Sequence, residues 1–153
     1  STLIATLFPY TTLFRSNRVF LPSSFRKTVI AAAEESLVIR KDYFENCLVI
    51  YPMSEWRAEV ERVRQRLNRF DVRQQMVYRQ LLSEAQEVQI DSSGRILISK
   101  QQLEKVGIKQ DVVFVGMQQV IELWDANAVA DNNEGFISEQ EFAKELMNFM
   151  KSE

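Results

Sequence analysis

Asn17-Arg18-Val19-Phe20-Leu21-Pro22 and Gly94-Arg95-Ile96-Leu97-Ile98-Ser99 align without a gap. Each opens on a residue that tolerates a tight turn, continues with an arginine and then enters a short apolar run. The elements that follow also come twice in the same order. After the first stretch, a helical piece from Ser24 to Glu35 is expected, then strands at Leu37 to Arg40 and Cys47 to Tyr51, closed by Pro52. After the second, a helix from Gln101 to Val106 ends at Gly107, and strands follow at Val112 to Val115 and Val120 to Trp124. Arg18 and Arg95 are 77 positions apart, whereas Tyr51 and Trp124 are 73 apart, so the copies differ by small loop changes. A unit of this size cannot bury a sheet face alone, and its edge strands stay open. Two units that exchange or interleave hairpins solve both problems. The expected fold is therefore α+β: a pseudo-two-fold swapped-hairpin β barrel from two tandem repeats, with helices after each. The repeats are taken as residues 17–85 and 86–153.

Between the copies, Trp56, Val60, Val63, Leu67 and Phe70 recur at helical spacing behind Ser54, the expected N-cap. Such a stripe is first of all a core face. The opposite face carries Arg57, Glu59, Glu61, Arg62, Arg64, Arg66 and Arg69, and its arginines could meet a phosphate backbone or a neighbouring subunit. A second helix, about Val72 to Ala85, is expected to turn Met76, Leu81 and Leu82 inward. Near the carboxy terminus, Ser138-Glu139-Gln140-Glu141 is a capping box leading into Phe142, Leu146 and Phe149. That helix is expected to lie against the second unit, with Met147 and Met150 in its packing.

Composition excludes more than it selects. The 153 residues hold 46% apolar and 26% charged side chains, ordinary globular usage that argues against a disordered or disulfide-stapled chain. There is no histidine, so Ser-His-Asp and Cys-His nucleophile systems and His-zinc sites are absent. Cys47 is the single cysteine, lies in an apolar run and reads as a buried, inert thiol, as suits a reducing cytoplasm. Neither a secretory signal nor a run of about 20 apolar residues is found, so a soluble protein is expected. Residues 1–16 resemble translated adapter read-through and are set aside as a candidate foreign segment. Charge is divided unevenly. Residues 15–82 hold 13 basic and 8 acidic side chains, and residues 83–153 hold 6 and 13. A basic half suggests a surface that faces a polyanion.

Asp91-Ser92-Ser93-Gly94-Arg95 sharpens that suggestion. An Asp followed by Gly marks a tight turn between strands, and the arginine emerges on the strand beyond it. Asp91 is placed to accept a hydrogen bond from the Arg95 guanidinium or from turn amides. Since Arg18 occupies the matching place, two arginines related by a pseudo-two-fold would project from one β layer, an arrangement suited to base edges or phosphates of duplex DNA. Four positions before Arg18 stands Phe14, where the second copy has Asp91.

These stretches, with Leu48-Val49-Ile50-Tyr51-Pro52, Glu55-Trp56 and Ile121-Glu122-Leu123-Trp124, resemble the MraZ family of bacterial transcriptional regulators, built from two tandem AbrB-like units. The resemblance covers roughly residues 17–125. It implies a swapped-hairpin barrel, ring-like homo-oligomers, and repression through short direct repeats upstream of the division and cell-wall gene cluster. By position it gives Arg18, Asp91 and Arg95 the family's DNA-binding motif, with Asn17 and Gly94 as turn residues. Arg26 and Lys27 are expected to grip phosphates. Expected partners are double-stranded DNA and further copies of the chain, in a cytoplasmic, nucleoid-associated protein. No membrane, cofactor, metal or small-molecule substrate is expected. The rival from another class is a protein-interaction scaffold or an antitoxin-like AbrB relative, favoured by the acidic second half. Residues 130–142 imitate a calcium loop, but Ala130 stands where a carboxylate ligand is needed. They read instead as an acidic loop before the capped helix.

Overall fold

Strand alternation sorts the side chains of both copies into layers, and the pairing of those strands joins the copies. The computed structural model describes residues 11–12, 15–31 and 36–151. The first copy runs β1 (Thr11–Thr12), β2 (Arg18–Phe20), α1 (Ser23–Ala31), β3 (Leu37–Lys41), β4 (Leu48–Pro52), α2 (Met53–Arg66) and α3 (Val72–Glu84). The second repeats that order as β5 (Gln86–Val88), β6 (Arg95–Leu97), α4 (Lys100–Lys105), β7 (Asp111–Met117), β8 (Val120–Asp125), α5 (Ala126–Asn132) and α6 (Glu139–Lys151).

The copies exchange strands. One sheet has the order β1-β7-β8-β4-β3-β5, so the first strand of each copy pairs with the third strand of the other. At its centre β4 and β8 run antiparallel, with Ile50 opposite Ile121 and Leu48 opposite Leu123. The other layer is a ribbon of β2 and β6, with Arg18 opposite Leu97, Val19 opposite Ile96 and Phe20 opposite Arg95. Both layers map onto themselves when the copies are interchanged, which is the expected pseudo-two-fold. The described strands form this open sheet and ribbon rather than one continuous closed ring.

One core lies between the layers. Val19, Leu21, Ile96 and Ile98 from the ribbon side meet Leu37, Ile39, Leu48, Ile50, Ile121 and Leu123 from the sheet, with Phe25 and Leu103 from α1 and α4. Burying each such side chain stabilises the fold by about 1.5–3 kcal/mol before entropy is charged. Gln102 ties the copies further, donating from Nε2 to the carbonyls of Ile39 and Glu84. On the sheet's other face, Val38, Val49 and Tyr51 receive Trp56 and Leu81 from α2 and α3, while Val113, Trp124 and Cys47 form a smaller cluster beside Val129 of α5.

The same outer face buries Arg40 of β3. Its Nη2 meets Glu84 at 3.3 Å, and its guanidinium lies 4.2 Å over the Tyr43 ring. Nε and Nη1 have no hydrogen-bond partner among the described residues. Nearby, Glu59 accepts from the hydroxyls of Tyr43 and Tyr51 and so fastens α2 to β4. Burial, then the Glu59 hydrogen bond, pushes the Tyr43 phenol up to about 12.

Local expectations fared unevenly. Gly107 follows α4 as expected, with a φ of +70°, and Ser99 caps its start, its hydroxyl accepting from Gln102 N. Ser54, however, is inside the first turn of α2, because Pro52 already stands at the cap without any side-chain hydrogen bond. That helix stops at Arg66, and Phe70 sits 86% exposed in the turn beyond it. Of the inward residues expected on α3, Leu81 is buried while Met76 and Leu82 are exposed. The acidic stretch expected as a loop from residue 130 begins inside α5, which is capped by the Asp125 carboxylate accepting from Ala128 N. Ser138 caps α6 as expected, accepting from Glu141 N, but α6 buries none of its residues, and Phe142, Met147 and Met150 are exposed. Residues 32–35 of the expected first helix, and residues 1–10, 13 and 14, lie outside the described residues. No helix among the described residues is long and apolar enough to cross a membrane.

The layering makes a direct prediction. Ile96→Ala removes a core side chain shared by both layers and should cost about 2–5 kcal/mol, whereas Leu97→Ala, on the ribbon's outer face, should cost well under half of that. Urea unfolding of the two variants measures the difference, and equal costs would refute the inside-outside assignment.

Candidate nucleic-acid interface

The ribbon turns Val19 and Ile96 inward, so the neighbouring positions on each strand must point out. Its outer face consequently carries Arg18 and Phe20 from one copy and Arg95 and Leu97 from the other. Phe20 and Leu97 are each nearly half exposed, giving every arginine an apolar cross-strand neighbour: Leu97 beside Arg18, Phe20 beside Arg95. The two ends of the ribbon close in the same way. Leu21 N donates to Gly94 O at 3.1 Å, and Ile98 N donates to Asn17 O at 3.0 Å. Asn17 (φ 63°) and Gly94 (φ 87°) share the left-handed turn conformation. Asn is among the few residues with a side chain that accept it.

Arg95 is held by its own turn. Asp91 Oδ1 accepts from Ser93 N and Arg95 N, both at 2.9 Å, and Oδ2 accepts from Arg95 Nε at 3.0 Å. The turn closes through Gly94 N to Asp91 O, and Asp91 N to Arg95 O. The Arg95 amide, more than any other contact, holds the Asp91 carboxyl below its usual range; the Ser93 amide and the Arg95 charge act in the same sense, against a burial effect. The fork is thereby pre-aimed, so little side-chain freedom is left to lose when it binds a partner. Among the described residues no carboxylate pairs with Arg18, and Phe14, the counterpart of Asp91, lies outside them.

Arg26 of α1 crosses from the first copy to this second-copy turn. A Cβ built on Gly94 would overlap Arg26 Nη1 and stand 3.0 Å from Cδ, so the arginine side chain occupies the space a larger residue would need. Its Nε is buried without a hydrogen-bond partner among the described residues. Arg26 is thus packed across the turn, half-buried, whereas Lys27 is exposed beside it. At the matching positions of α4 stand Leu103 and Glu104, so this extension is basic on one side of the pseudo-two-fold alone. Sequence reasoning grouped Asn17, Arg18, Arg26, Lys27, Asp91, Gly94 and Arg95; the fold brings them to one ribbon and the helix that crosses it. Arg26's place over Gly94 had no signal in the sequence, since it depends on the strand exchange.

Such a surface offers planar, bidentate donors beside apolar contacts on a two-stranded ribbon, a shape that the major groove of B-DNA admits. The family model described as "MraZ protein, putative antitoxin-like" matches this chain twice in tandem, over residues 12–80 and 81–148. The transcriptional regulator MraZ of Phocaeicola vulgatus is 42% identical over 133 residues, 87% of this chain and 84% of that protein. The protein of the same name from Bacteroides thetaiotaomicron is 41% identical over 136 residues, 89% of this chain and 85% of its own length. That from Bordetella pertussis is 34% identical over 119 residues, 78% and 80% of the two chains.

Two outcomes follow from the turn. Gly94→Ala should destabilise by about 1–2 kcal/mol through its positive φ, with more from displacing Arg26. Adding Arg26→Ala should recover the second part, a coupling of at least about 0.5 kcal/mol in a double-mutant cycle; strict additivity would mean that Arg26 does not cover the turn. The lowered Asp91 carboxyl adds stability that is complete above its unfolded value near 3.9 and lost as pH falls through the folded one. Unfolding free energies of wild type and Asp91→Asn should therefore converge in acid; a gap independent of pH would contradict the ionic role.

Proposed function

The chain belongs to the MraZ family, and on that premise we propose that it is a sequence-specific DNA-binding transcriptional repressor, not an enzyme. It acts as a ring-like homo-oligomer on short direct repeats upstream of the division and cell-wall gene cluster, in the cytoplasm and at the nucleoid. The observation that carries this proposal is the ribbon that turns one arginine per copy outward, Arg18 and Arg95, from opposite ends of a single pair of strands. The ribbon and the six-stranded sheet, which share one core, are taken as the two walls of the AbrB-like barrel.

Roles divide along the chemistry. Arg95, oriented by Asp91, reads base edges, with Phe20 and Leu97 available to thymine methyl groups. Arg18 reads the other end of the ribbon. Lys27 supplies phosphate contact, which positions without specifying, and Arg26 buttresses the Gly94 turn while its charge adds to the same field. The inequality of the copies has a consequence for the operator. A truly symmetric ribbon would suit an inverted repeat, but the copies differ in sequence at matching positions, with Asp91 for Phe14, Arg26 for Leu103 and Lys27 for Glu104, and this gives the surface a direction. Directional units in a ring suit direct repeats. Occupying several repeats at once raises effective concentration, so that modest single contacts sum to a stable block to RNA polymerase.

Gel-shift titration on a duplex bearing the repeats tests the assignment. Arg95→Ala should weaken binding by about 10- to 100-fold and relax base preference, consistent with about 1–3 kcal/mol per bidentate contact. Lys27→Ala should weaken all sequences alike and reduce the salt slope by about one unit. Unchanged affinity of Arg95→Ala would remove the ribbon from the interface.

A further inference from the structure

Among the described residues, Arg40 is the one basic side chain that is buried, at 3% exposure. A guanidinium carries five N–H donors, and taking it out of water is unfavourable unless they are matched. Glu84 accepts from Nη2 and the Tyr43 ring lies over the plane, but Nε and Nη1 have no hydrogen-bond partner among the described residues. Arg40 borders a groove of about 620 Å³ between α2, α3 and the β3–β4 hairpin, a volume that suits a small organic molecule. Val63, Val77 and Leu81 give this groove an apolar wall, and Val77 is 63% exposed on it.

Three bases and three acids line the groove, so net charge selects no occupant. Unused hydrogen-bonding capacity does. The acids already accept: Asp42 from the amides of Phe44 and Glu45, Glu59 from the hydroxyls of Tyr43 and Tyr51, and Glu84 from Gln80 and Arg40. Lys41 donates to the carbonyls of Asp42 and Glu45. Arg62, by contrast, stands 4.0 Å from Glu59 with its side chain 66% exposed, and Arg40 keeps two open nitrogens. A cationic ligand would meet acceptors that are already filled, and an apolar one would leave the guanidinium unmatched.

We propose that this groove binds a small organic carboxylate with an apolar body. The carboxylate accepts from Arg40 at Nε or Nη1 with Arg62 alongside, and the apolar body lies on Val63 and Val77. Tyr43 is the cover of the site. Its ring is 45% exposed and is tethered through the hydroxyl to Glu59, so it turns outward to admit the carboxylate to the guanidinium. The groove lies on the opposite face of the six-stranded sheet from the arginine ribbon, so a ligand here and a duplex there do not compete for surface. The site is built within residues 40–84 and stands whether or not the ribbon binds DNA.

Titration of the full chain with naphthoate, followed by calorimetry and by amide spectra, tests the site. Binding should saturate, shift the amides of residues 40–43 and 77–84, and weaken by about 10- to 100-fold in Arg40→Met, which keeps an apolar stem and removes the donors. Because a substitution at a buried position can disturb folding, Val77→Glu is the second variant. That position is exposed, so the variant should keep the circular dichroism of the parent, and its like charge beside the ligand should weaken binding by about tenfold or more. Naphthyl methanol, which has the same apolar body without the anion, should also bind about tenfold or more weakly. Absence of saturable naphthoate binding, equal affinity for the alcohol, unchanged affinity in Val77→Glu or in a folded Arg40→Met, or amide shifts centred on Arg18 and Arg95 would each overturn the proposal.

Discussion

Val19 and Ile96 meet across the ribbon without solvent exposure, and the rest of the structure depends on that contact. They come from different copies, so neither copy can bury its own residue without the other. The same exchange seats β1 on β7 and β5 on β3, and closes both ends of the ribbon with Leu21 to Gly94 and Ile98 to Asn17 hydrogen bonds. Because side chains alternate along a strand, burying Val19 and Ile96 obliges Arg18 and Arg95 to face outward. A slip of one residue would bury two guanidinium groups at a cost of several kcal/mol each. Core packing thus fixes the geometry of the surface that faces the ligand.

Within that near-symmetric frame, function is concentrated where symmetry fails. One turn has Asp91 to hold its arginine, and one helix reaches over that turn with Arg26 where its counterpart offers Leu103. Duplication supplies a two-armed display, and later divergence gives it a direction. The helices after the repeats diverge further. α2 and α3 fold back onto the sheet and leave a groove lined by apolar residues and by charges of both signs, whereas α5 and α6 end in an acidic, apolar helix.

Much of this was legible in the sequence, for physical reasons that differ by element. The gapless match of residues 17–22 with 94–99 carried register, because period-two burial and a left-handed turn position constrain residue type strongly. Gly107 and Ser138 carried helix ends, because caps are local. The strands β1 and β5 gave little signal: Gln86 and Glu87 are exposed and polar, and they pair only because an edge is available. Arg40 was missed for the opposite reason, since a basic residue at the end of a strand looks solvated, and only α3's return with Glu84 buries it. The apolar periodicity of α6 read correctly as a helix face, but none of its residues is buried, because periodicity gives a face without giving what meets it.

Mutual completion of the two copies is tested most directly by separate expression of residues 11–85 and 86–151. Mixed, the halves should restore the dispersed amide spectrum of the intact chain, and alone neither should be a folded monomer. A monomeric half with a native-like spectrum would contradict the exchange of strands on which the arginine ribbon is built.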